Sequence, residues 1–135
     1  MKLSGDGGWL ELEKSDLGPP GTPGDGDILL NVTAEVSGFS AADQRWVTGP
    51  AWAGFLTDLA RLETNRKGRA TLLAASPEDL QLAFFSTDRA GHMALRGQIR
   101  RMTPDRFDLR LGFGFAFAPD ELPRILSELR RLGAH

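Results

Sequence analysis

Cysteine is absent from the 135 residues. That removes disulfide frameworks, zinc ribbons, iron–sulfur sites and thiol nucleophiles together. Tyrosine is absent too, leaving eight phenylalanines and three tryptophans as the aromatic side chains. Histidine occurs only as His92 and His135. His135 ends the chain and is not expected to be ordered, so a histidine metal cluster is not supplied, and no metal or cofactor is expected. No apolar run reaches the roughly 18 residues a membrane helix requires. Met1 to Trp9 is glycine-rich and polar, without the apolar core of a signal peptide, so a cytoplasmic location is expected. Gly-x-Ser-x-Gly does not occur, and Ser4-Gly5-Asp6-Gly7-Gly8 lacks the Lys-Ser/Thr that completes a phosphate loop. It reads as a flexible lead-in to the first strand.

What remains is ordinary for a globular protein: 41% hydrophobic and 25% charged residues. The length fits a single domain spanning 1–135, which buries roughly two-thirds of its unfolded surface without a staple. Net charge is −2, so non-specific nucleic-acid binding is not favoured. The charge is unevenly spread. Residues 1–63 hold four Lys/Arg against ten Asp/Glu, and residues 64–135 hold twelve against eight. Either the fold mixes the two halves, or it presents a segregated acidic face to a basic partner.

Leu17 to Asp27, Leu-Gly-Pro-Pro-Gly-Thr-Pro-Gly-Asp-Gly-Asp, is a loop between two strand signals. Before it, Leu10 and Leu12 alternate with Glu11 and Glu13. After it, Ile28, Leu30, Val32, Ala34 and Val36 alternate with their neighbours. A third strand is expected across Phe39 to Val47. Thr48-Gly49-Pro50 then starts a helix to about Thr64, with Trp52, Phe55, Leu56, Leu59 and Leu62 on one face. Strands follow over Arg69 to Ala75, Leu80 to Ser86 and His92 to Arg101. The last strand carries Phe107, Leu109, Leu111, Phe113, Phe115 and Phe117 on one face. Pro119-Asp120-Glu121 opens a second helix with the stripe Leu122, Ile125, Leu126, Leu129 and Leu132, and Gly133 is its cap candidate. No internal repeat is evident. The order predicts a two-layer α+β domain: one mainly antiparallel twisted sheet of about six to seven strands, with two amphipathic helices on one face.

Few residues suggest chemistry. His92 starts a strand on the face opposite Met93 and Leu95, with no orienting partner evident in sequence. Asp25-Gly26-Asp27 resembles the opening of a calcium loop, but the twelfth position is Val36 where a bidentate Glu is needed. Glu11 and Glu13 share one strand face, as solvated carboxylates commonly do. Arg96, Gln98 and Arg100 share the outer face of one strand, with Arg110 nearby. Basic sheet faces bind RNA when aromatic rings interleave. Here the phenylalanines of the last strand take the core face, so RNA binding is not favoured. No catalytic site is expected.

Several segments together resemble the WapI-like immunity proteins and a related family of uncharacterised bacterial proteins. They are the Leu10-Glu11-Leu12 strand, the second strand ending Val36-Ser37-Gly38-Phe39, and the helix Trp52 to Leu62. Arg89-Ala90-Gly91-His92-Met93-Ala94-Leu95 and the closing strand and helix from Phe113 to Leu132 complete the likeness. The resemblance covers most of the chain, the 17–27 loop excepted, and its motifs are apolar periodicity plus a Gly-His pair. It implies a small bacterial partner-binding protein that protects its producer from a secreted toxin domain, with no catalytic residues to carry over.

The leading expectation is therefore a non-catalytic protein-binding module, an antitoxin in function. Its binding residues are expected to be Trp9, Glu11, Glu13, Glu35, Asp43 and Trp46, with Trp or Phe central and acids around. The alternative is a small-ligand-binding or enzymatic domain with a deep pocket between helices and sheet, near His92, Arg96 and Arg110. A third reading is a structural or homodimerising domain with an exposed edge strand.

Overall fold

The computed structural model describes residues 1–134; His135 lies outside them. Four strands come first: β1 (Lys2–Gly5), β2 (Gly8–Leu17), β3 (Ile28–Val36) and β4 (Phe39–Val47). Helix α1 (Gly49–Asn65) follows, then β5 (Arg69–Leu73), β6 (Leu80–Ser86), β7 (Met93–Met102) and β8 (Asp108–Phe117). A short 3₁₀ turn, Pro119–Glu121, leads into α2 (Leu122–Leu132). The same order, a four-strand meander and then a helix, thus occurs twice.

The strands form two four-stranded antiparallel sheets, β1-β2-β3-β4 and β5-β6-β7-β8. This corrects the expectation of one sheet of six to seven strands. Lys2–Gly5 pairs with β2, Leu3 opposite Leu10, instead of serving as a flexible lead-in. The sheets meet through two backbone bonds at separate points. The Asp6 amide donates to the Ala116 carbonyl, and the Ala75 amide to the Trp46 carbonyl, each at 2.8 Å. Two such seams join edges without continuing a ladder.

Period-two patterning works as the physics requires. In β3, Ile28, Leu30, Val32 and Ala34 are buried, while Leu29, Asn31 and Thr33 are partly exposed. The inner faces of both sheets share one continuous core with the helices. Trp52 and Phe55 of α1, Phe84 of β6 and Phe117 of β8 make an aromatic chain through it, with centroid separations of 5.9, 5.7 and 6.2 Å.

Helix α1 begins as expected. The Thr48 hydroxyl accepts from the Ala51 amide at 3.3 Å, with proline in the first turn. The Asp27 carboxylate, at the end of the 17–27 loop, accepts from the Gly49 amide at 2.8 Å and so ties that loop to the helix N-terminus. Arg66, in the left-handed region at φ 57°, ends the helix. Gly133 caps α2 as expected, but at φ −82° and not in the left-handed region, so conformation does not require glycine there. Space explains it: a Cβ there would lie 2.5 Å from Trp52 Nε1.

The closing strand also needs correction. Phe115 and Phe117 are buried and Leu111 and Phe113 half-buried, but Phe107 is 67% and Leu109 52% exposed. Strand β6 has seven residues against ten in β7, and its ladder stops at the Leu80–Ile99 pair. The ends of β7 and β8 beyond that pair overhang the core as a two-stranded ribbon, so apolar side chains there find no facing layer.

Candidate functional site

Because both sheets bury one face only, each leaves an outer face open. The register lays out the first as rows. Ser4, Trp9, Glu35 and Ser40 lie opposite one another, then Lys2, Glu11, Thr33 and Ala42. Glu13, Asn31 and Gln44 form the third row. After a register shift between Lys14 and Asp16, Asp16, Leu29 and Trp46 form the fourth. Five of the six predicted binding residues, Trp9, Glu11, Glu13, Glu35 and Trp46, therefore share this face. Four carboxylates stand on it against Lys2, whose ammonium lies 4.5 Å from the Trp9 ring centroid. Trp46 is 41% exposed and Trp9 half-buried. Gln44 donates its amide to Asn31 Oδ1 at 2.8 Å and to Ser15 Oγ at 2.9 Å, which stiffens the centre. A shallow depression of about 510 Å³ on this face is lined by Glu13, Asn31, Thr33, Ala42 and Gln44, and also by Asp43 and the second cation there, Arg101.

Asp43 stands on the other face of β4. Its carboxylate is 2.9 Å from Arg45 and 3.5 Å from Arg101. Arg101 also donates to the Ala42 carbonyl, and Arg45 to the Arg100 carbonyl. Asp43 thus belongs to a cluster that closes the open edge of β4 with β7, a use of charged side chains that blocks strand addition.

The outer face of the second sheet is basic. Its rows are Arg69, Phe85, Ala94 and Ala116; then Thr71, Ala83, Arg96 and Gly114; then Leu73, Gln81, Gln98 and Gly112. Arg100 and Arg110 follow. The expected grouping of Arg96, Gln98, Arg100 and Arg110 is present. Phe85 was missed, although the alternation that turns Phe84 inward turns Phe85 outward. The guanidinium carbons of Arg69 and Arg96 each lie 5.5 Å from the Phe85 ring centroid. Asp108 receives Arg110 at 2.9 Å and Arg100 at 2.8 Å, and Arg100 also reaches Glu78 at 3.1 Å. Those hydrogen bonds, Arg110 first, hold the Asp108 carboxyl below its ordinary value. The outer face of the first sheet therefore carries net negative charge and that of the second net positive charge.

His92 is exposed and bonded through Nδ1 to the Asp88 carboxylate at 2.5 Å. Asp88 also accepts from the Ala90 and His92 amides, so the pair organises a turn. The space between helices and sheets, where the ligand reading expected a deep pocket, is filled by the core. Among the described residues no three His, Asp or Glu side chains gather to hold a metal ion, and no helix is long and apolar enough to cross a membrane. Comparison with family models, with curated proteins and with solved structures returns no match.

Proposed function

We propose that this chain is a non-catalytic protein-binding module that receives a basic protein surface on the outer face of its first sheet. One observation carries the reading: tryptophans at both ends of an uncovered sheet face, with Glu11, Glu13, Glu35 and Asp16 between and beside them. Tryptophan is enriched among interface anchors, and here two of them flank the carboxylates, the reverse of the expected aromatic centre with acids around it. A rigid sheet presents them at little ordering cost. The overhanging ribbon approaches this face through Arg101, whose guanidinium donates to the Ala42 carbonyl on β4 and whose backbone pairs with Leu109.

The resemblance to WapI-like immunity proteins supplies the class of partner, a secreted toxin domain that the producing cell must neutralise. The test is co-expression with the toxin-like C-terminal domain of a large secreted protein encoded beside this gene. The proposal expects growth rescue and a co-purifying complex. Charge reversal of Glu11, Glu13 and Glu35 to Lys should abolish both while the chain stays folded by circular dichroism. Rescue and complex formation that survive the triple reversal would move the interface off this face. Neither rescue nor complex would remove the toxin pairing.

A further inference from the structure

The second sheet carries a site of another kind, and it does not depend on the protein-binding reading. Its outer face is hollowed into an open depression of about 620 Å³, lined among others by Arg69, Arg96, Gln81, Gln98, Gly112 and Gly114. Among the described residues neither Arg69 nor Arg96 has an acidic partner, whereas Arg100 and Arg110 are both paired. Phe85 orients the two free guanidiniums from one ring.

The glycines of the hollow differ in an informative way. A Cβ on Gly114 would come 2.9 Å from the Leu95 carbonyl oxygen, so packing explains that glycine. A Cβ on Gly112 would meet nothing within 4 Å, and its backbone is outside the left-handed region. Neither packing nor conformation requires glycine at 112. Its effect is to leave the floor of the hollow bare beside Gln98, its cross-strand partner.

We infer that this hollow binds a nucleoside monophosphate unit, free or within single-stranded RNA. Guanidinium forks suit phosphate oxygens. A bare glycine floor admits a planar ring against the backbone. The paired amides of Gln81 and Gln98 offer the donors and acceptors that a base edge needs. Rows on one face repeat every two residues, about 6.7 Å, so Arg96, one row from Gln81 and Gln98, is spaced for the phosphate of a nucleotide whose base meets the glutamines, and Arg69 stands one row further out. Phe85 also supplies the aromatic side chain that an RNA-binding sheet requires and that the last strand does not place here.

The test is an NMR titration of the ¹⁵N-labelled full chain with AMP, with a five-residue oligo(A) and with inorganic phosphate. AMP should shift the Gly112 and Gly114 amides and the Gln81 and Gln98 side-chain amides, and bind at least tenfold more tightly than phosphate. Arg69→Ala and Arg96→Ala should each weaken AMP about tenfold or more, as loss of a charge-assisted bond does. Gly112→Val should abolish AMP binding without lowering the melting temperature. Gln98→Ala, which leaves the backbone alone, should weaken AMP and not phosphate. Tighter binding of oligo(A) would assign the nucleotide to RNA, and equal binding to a free nucleotide. Equal affinity for phosphate and AMP would reduce the site to an adventitious ion only and overturn the inference. So would absence of shifts in the hollow, or unchanged AMP binding by folded Gly112→Val or Gln98→Ala.

Discussion

Gly5→Ala tests the seam between the two sheets. Gly5 ends β1 beside Asp6, whose amide donates to the Ala116 carbonyl at 2.8 Å. A Cβ on Gly5 would lie 2.2 Å from that same carbonyl oxygen and 2.5 Å from Phe115 Cδ2. Ordinary contact begins near 3.4 Å, so the strands must part by roughly 1 Å. The Asp6–Ala116 separation then approaches about 3.8 Å, beyond hydrogen-bonding range. Losing that bond costs about 1 kcal/mol, and overpacking against backbone adds about 1–3 kcal/mol. We expect a destabilisation of about 2–4 kcal/mol, read from urea unfolding at constant m-value. Gly112→Ala is the internal control. With open space around the new methyl group it should be stabilising by about 0.5–1 kcal/mol, because glycine inside a strand is costly. A Gly5→Ala variant within 0.5 kcal/mol of the parent would refute the seam as a rigid contact and show that the sheets slide freely there.

Phe55→Ala removes the centre of the aromatic chain between Trp52 and Phe84. It should cost about 3–5 kcal/mol in the same unfolding assay. The Asp88 carboxyl is held below its ordinary value, first by its side-chain hydrogen bond from His92. Its contribution to stability is therefore present above the unfolded aspartate value and lost as pH falls through the lowered folded value. An NMR titration should show the Asp88 midpoint rising in His92→Ala, and an unmoved midpoint would discard the pair. Trp46 is the most accessible tryptophan, so acrylamide quenching of the free protein should fall most in Trp46→Phe. In the complex proposed above the quenchable fraction should drop.

The strands were legible where burial alternates strictly. In β3 Ile28, Leu30, Val32 and Ala34 are buried and Val36 half-buried, and its bounds follow from that alternation. Helix α1 was legible because Thr48, Gly49 and Pro50 mark its start locally. The division into two sheets was not, since it rests on β1, a strand with Leu3 as its one buried side chain, and on two seam bonds between residues far apart in sequence. Phe107 and Leu109 were misread for a related reason. Periodicity reports which face a residue shares, while burial requires another layer opposite, and β6 ends before reaching them. At the candidate sites, alternation was enough to put Trp9, Glu11 and Glu13 together. Asp43 could be placed only from the parity of β4 against β3, where it lies opposite Val32 and therefore on the core side.

The open faces follow from counting layers. Two four-stranded sheets have four faces, and the chain has one helix of 17 residues and one of 11. At 1.5 Å per residue and about 10 Å across, these cover about 250 and 160 Å². Four strands spaced about 4.8 Å apart, at about eight residues each, span about 500 Å² per face. The helices are thus enough to complete a core closed by two inner sheet faces, and no element is left for the outer ones. Faces left to solvent by this arithmetic need only be polar. Here they are polar in opposite senses, one with carboxylates and two tryptophans, the other with unpaired arginines over a phenylalanine and a bare glycine. Solubility alone would be served by mixed charge on both faces. Opposite net charge on the two faces instead means that one acidic and one basic ligand could be held at once without competing. The two sets of variants, Glu11/Glu13/Glu35 on one sheet and Arg69/Arg96 on the other, should therefore act independently, each set abolishing one binding event and leaving the other unchanged.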